Sequence, residues 1–138
     1  MLAKRRIMKP FALAALLVAA MGTALAADLK LTGDQEVPPN TSTSVGTGTI
    51  TVAADGSVSG SVSAPGMAGM AAHIHVGAAG VNGPVIIPLT GSAGDTWTVP
   101  PGAKLTAEQM DAYKAGNLYV NIHTAEHKGG EIRTQLKP

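Results

Sequence analysis

All four histidines of this 138-residue chain fall in two short segments, His73-Ile74-His75 and Asn121-Ile122-His123, with His127 close behind. Both segments carry the alternation of a strand, in which residues two apart share a face. His73 and His75 therefore point one way, while Ala72, Ile74 and Val76 point the other. In the second segment Leu118, Val120 and Ile122 form an apolar face, and Tyr119, Asn121 and His123 a polar one. By this pattern the histidines lie outside the core. Two imidazoles from an H-x-H strand, joined by a third from a neighbouring strand, make a compact nitrogen set suited to Cu(II) or Zn(II). Met67 and Met70 add soft thioethers, which favour Cu(I). The candidate metal set is thus His73, His75, His123, Met67 and Met70, with copper the first choice of ion and zinc the second. Glu126, His127 and Glu131 are close enough in sequence to His123 to be extra ligands or acceptors for an imidazole N–H. Otherwise His127, on an expected loop, reads as surface.

The competing reading is of surface histidines bonded to backbone or to one another, with both methionines filling gaps at the end of the fold. One distance separates the two: ligating imidazoles converge to within about 4 Å, whereas surface ones splay apart. Glu131 and Arg133 share a strand face and are expected to form an exposed ion pair worth under about 1 kcal/mol. The run from Ala79 to Pro84, rich in glycine and asparagine, reads as a fixed tight turn. No serine sits in a G-x-S-x-G elbow and no phosphate-binding glycine loop opens a helix, so enzymatic activity is left open but disfavoured.

The elements that must position these residues begin after a leader. Lys4, Arg5, Arg6 and Lys9 precede an apolar run from Phe11 to Met21, and Ala24-Leu25-Ala26 is a small-x-small cleavage site. Residues 1–26 read as a secretory signal peptide, with too short an apolar run to span a membrane, so a periplasmic or secreted protein is expected. Residues 27–138 then form one domain of 112 residues with six basic and nine acidic side chains, a net charge of −3. That balance, with three aromatics left, argues against nucleic-acid binding and leaves cation binding open. The absence of cysteine excludes thiolate metal sites and thiol redox chemistry.

Strands are expected at Asp28–Thr32 on an edge, Val45–Val52, Ser57–Ser63, Ala71–Gly77, Val85–Leu89, Thr96–Val99, Asn117–His123 and Glu131–Leu136. Asp55-Gly56 supplies the positive φ of a hairpin turn, and residues 64–70 read as a loop. The one helix signal spans Thr106–Ala115, with Thr106 and Gln109 spaced as a capping box and Gly116 placed to end it.

Leu31-Thr32-Gly33 with Glu36-Val37-Pro38-Pro39, then Ala72-His73-Ile74-His75-Val76-Gly77, then Gly80-Val81-Asn82-Gly83-Pro84-Val85, resemble the CHRD domain, the module named from chordin. The runs from Ala115 to Thr124 and from Gly130 to Leu136 continue the resemblance over nearly all of residues 27–138, with Thr134 where the family usually has glycine. The resemblance implies an all-β, immunoglobulin-like antiparallel Greek-key sandwich with one short helix, and no established enzymatic activity. The H-x-H strand with a third histidine is also similar to the copper site of copper/zinc superoxide dismutases, with His73, His75 and His123 as corresponding ligands. The bridging histidine, zinc loop and disulfide of that enzyme are missing. Three functions follow: an exported protein that stores, delivers or scavenges copper; a metal-free adhesion or interaction module; and, least supported, a small copper oxidoreductase.

Overall fold

A computed structural model describes residues 28–92 and 95–138. The leader reading falls on residues outside this range. Alternating valine, isoleucine and leucine produce nine strands: β1 (Leu29–Leu31), β2 (Gly46–Val52), β3 (Val58–Ser63), β4 (Gly69–Val76), β5 (Val85–Pro88), β6 (Thr90–Ser92), β7 (Thr96–Thr98), β8 (Leu118–Thr124) and β9 (Ile132–Gln135). They pair antiparallel into two sheets, ordered β1-β2-β3-β7-β6 and β5-β4-β8-β9. The chain is an all-β sandwich. Its core fills the space between the sheets with Leu31, Ile50 and Val62 from the first and Ala72, Ile74, Leu118, Val120, Ile122 and Ile132 from the second. No helix among the described residues is long and apolar enough to cross a membrane.

The expected hairpin joins β2 to β3, with Gly56 at φ +90° in its turn. The helix, α1 (Ala107–Lys114), carries both halves of the capping box, Thr106 Oγ1 accepting from Gln109 N–H and Gln109 Oε1 from Thr106 N–H. β6 falls on Thr90-Gly91-Ser92, residues of turn type, and exists because it pairs with β7 across the Trp97 hairpin. β1 is an edge strand as expected. Just past it, Thr32 and Arg133 exchange both backbone hydrogen bonds, tying the first sheet to β9 of the second.

The second sheet departs most from expectation. In β8 the residues of both faces are buried, Tyr119 and Asn121 at 2 % exposure as well as Leu118, Val120 and Ile122. Its outer face is roofed by the loops at 77–83 and 125–131 and by the stretch from Gly33 to Asn40, which contains a short 3-10 turn. Polar strand residues work here because they donate to the carbonyls of the roof. Gln135 Nε2 donates to the carbonyls of Gly77 and Gly116 and Asn121 Nδ2 to that of Gly129, while within the roof Asn82 Nδ2 donates to the Val37 carbonyl, 2.8 Å away.

Candidate metal centre

The register β4↔β8 builds the cluster. His73 lies directly opposite Asn121 and diagonal to His123, while His75 lies opposite Tyr119. His73 Nδ1 and His123 Nε2 are 3.0 Å apart, and one ligand atom from each of His73, His75 and His123 falls within 4.8 Å of the others. The histidines converge, one pair inside about 4 Å and all three within 4.8 Å, and the close pair is joined by a hydrogen bond such as the competing reading also expects.

Backbone carbonyls set the orientation of two rings. His123 Nδ1 donates to the Lys128 carbonyl at 2.8 Å, and His75 Nδ1 lies 3.0 Å from that of Gly83. The His123 ring thereby turns Nε2 toward His73, the arrangement that metal-binding imidazoles use. His123 Nε2 then accepts from His73 Nδ1–H. His75 Nε2 sits 2.9 Å from Asn121 Oδ1; the neutral ring has one N–H and donates to either this oxygen or the Gly83 carbonyl, while the charged ring donates to both, so a metal would have to draw Nε2 away from that amide.

His75 is buried, at 7 % exposure, contrary to the expectation that these histidines stand on a polar, non-core face. Parity gave the correct face, but the loops cover it. The ring stacks on Tyr119 at 4.6 Å between centroids, with an interplanar angle of 4°. Beyond Tyr119 lies Arg133, its Cζ 3.4 Å from the ring centroid. Burial holds His75 below the usual histidine pKa, against the pull of its bonds to Gly83 and Asn121. His73 is also held low, by burial first and then by the charges of His123 and His75. Both shifts favour the neutral ring, the form that binds metals.

Arg133 corrects a second expectation. It does not make an exposed ion pair with Glu131. At 1 % exposure, it donates through Nη2 to the carbonyls of Val81 (2.7 Å) and Ala78 (3.2 Å) and to Gln135 Oε1, and through Nη1 to Asn82 Oδ1. The run from Ala79 to Pro84 is the expected tight turn, and it also clamps this guanidinium and orients His75 through Gly83. A Cβ at Gly83 would overlap the Val76 carbonyl oxygen, so only glycine fits. Buried Glu36 lies on the same side, its carboxyl pushed above the ordinary range by burial and pulled down by Arg133 and Asn121.

The methionines part company. Met67 is in the core at 6 % exposure, apart from the histidines. Met70 is the second residue of β4 instead of lying in a loop. Strict alternation would send it inward with Ala72 and Ile74, but the register breaks between Gly69 and Ala71 and leaves it 68 % exposed. There it lines one open cavity with His73, His123 and Lys128, about 570 Å³ in volume. Asn121, Tyr119 and Arg133 were not among the candidate residues, although parity already placed the first two beside His123.

A profile of the CHRD domain matches residues 28–136, nearly all of the described chain. This protein belongs to the CHRD domain family. No curated protein and no solved structure matches it. The match spans every strand of the CHRD sandwich, from β1 to β9, and so includes all three clustered histidines and both loops whose carbonyls orient them.

Proposed function

We propose that this CHRD domain is exported to the periplasm or beyond and binds one copper ion through His73, His75 and His123, with the Met70 thioether at the open side, for storage, delivery or scavenging. The observation that carries the reading is the 3.0 Å separation of His73 Nδ1 and His123 Nε2. Two nitrogens held at roughly 2.0 to 2.1 Å by one ion stand about 2.9 Å apart at a right angle and about 3.4 Å apart at the tetrahedral angle. The pair is spaced for an ion that replaces the proton now between them. Imidazole alone suits copper and zinc alike, and the adjacent thioether tips the choice to copper, above all Cu(I). Met67 has no part in this site.

Titration of the purified protein with Cu(I) under a reductant should give one equivalent. The double variant His73→Ala/His123→Ala should lose it. Equal copper binding by variant and wild type would refute the reading. Turnover of superoxide by the copper-loaded protein would move it to an oxidoreductase. N-terminal sequencing of material from the cell envelope should begin at Ala27.

A further inference from the structure

A second group of donors lies on the loop after β8, outside the three-histidine cluster. One ligand atom each from Glu126, His127 and Glu131 falls within 4.8 Å of the others. The loop is built to hold them. Thr124 N–H donates to the His127 carbonyl, Gly130 N–H donates to the same carbonyl, and His127 N–H donates to Thr124 Oγ1. Glu131 N–H, bonded to the Ile122 carbonyl, fixes the far end.

Glu131 is the unusual member. Its side chain is 8 % exposed, yet among the described residues no lysine or arginine forms an ion pair with it. Instead Thr124 Oγ1 donates to Oε1 and Ser42 Oγ to Oε2, each at 2.9 Å. Burial opposes ionisation, but these hydroxyls, that of Ser44 and the charge of His127 outweigh it and hold the carboxyl below its ordinary pKa. A carboxylate offers about four lone-pair positions, so three hydroxyls leave one free to coordinate while fixing its direction. Beside it opens a cavity of about 300 Å³, lined by Ser44, Met67, Thr124, Glu126 and Glu131. Its positive neighbour is the His127 ring, the third member of the group, and a cation held by all three donors would take over that role.

We infer that Glu126, His127 and Glu131 form a second metal site, which takes a borderline divalent cation of the zinc class. Two carboxylates and one imidazole make an oxygen-rich set without thioether, suited to Zn(II) or Co(II) with water completing the shell, and ill suited to Cu(I). The inference does not rest on copper binding by the other cluster. It is tested in the His73→Ala/His123→Ala protein, where that cluster is disabled, by calorimetric titration with Zn(II) and by the visible spectrum of Co(II). One equivalent should bind, and adding Glu126→Gln and His127→Ala, both outside the core, should abolish it. No stoichiometric Zn(II) uptake before those additions, or uptake that survives them, overturns the site. Copper titration of Glu126→Gln/His127→Ala in the otherwise wild-type chain reads the first cluster separately, and should still give one equivalent.

Discussion

Replacing Arg133 with methionine should cost this domain about 3 to 5 kcal/mol of stability, within the range for leaving two carbonyls without their donor at about 1 to 3 kcal/mol each. The guanidinium's two bonds to backbone carbonyls, of Val81 and Ala78, are charge-assisted, at about 1.5 to 3 kcal/mol each. Its position over Tyr119 adds about 2 kcal/mol when desolvated. Against these stands the cost of taking the cation out of water. Methionine matches the volume and the stacking but leaves the carbonyls unpaired, and they regain water only in part because Ala78 is half-buried. Lysine keeps the charge without the fork and should fall between, at about 1.5 to 3 kcal/mol. Urea unfolding followed by Trp97 fluorescence reads the change. At a slope of about 1 to 1.5 kcal/mol/M, the methionine variant's midpoint should drop by roughly 2 to 5 M. A total stability of about 5 to 15 kcal/mol leaves room for that loss or nearly none, and the lysine variant stays measurable in either case. An Arg133→Met protein within about 1 kcal/mol of wild type would refute the account of Arg133 as the bolt that fastens the roof to the sheet.

Two further predictions concern the histidines. Because His73 is held below its unfolded pKa of about 6.5, the unfolded chain takes up protons first as pH falls. His73 therefore contributes stability in full above about pH 6.5 and loses it as pH falls toward the folded pKa; His73→Gln should flatten the slope of metal-free stability between pH 7.5 and 5.5, and an unchanged slope would contradict this. Gly83→Ala should force the turn away from the Val76 carbonyl and shift the Gly83 carbonyl off His75, costing about 1 to 3 kcal/mol and weakening copper binding about 10- to 100-fold. Wild-type melting and copper affinity in that variant would show that the turn does not orient the ring.

What could be read without coordinates was what local chemistry decides. The Asp55-Gly56 hairpin, the capped helix and the strand cores follow from turn residues, caps and alternation, and their bounds agree within one residue except at β4, which starts two residues early. Face parity also put His73, His75 and His123 together, because side-chain period is a property of the strand itself. It could not show that the polar face of β4 and β8 would be covered. Burial of His75 and Arg133 depends on loops distant in sequence whose carbonyls meet those side chains, as the Gly83 and Val81 carbonyls do. Met70 escaped for a related reason: a break in register inverts parity at one residue and leaves no compositional mark. Thr90-Gly91-Ser92 became a strand only because Trp97 and its neighbours offered it a partner.

The exchange of backbone hydrogen bonds between Thr32 and Arg133 makes the first strand's end common property of both halves of the sandwich. A sandwich without such a stitch could open like a book, one leaf peeling away while the other kept its shape. Here the leaves are sewn along one side, and the stitch lies on the residue whose side chain also fastens the roof. Loosening at that seam would release the cover over His75 and the contact between the leaves together, which makes the donor cluster and the whole domain one cooperative unit.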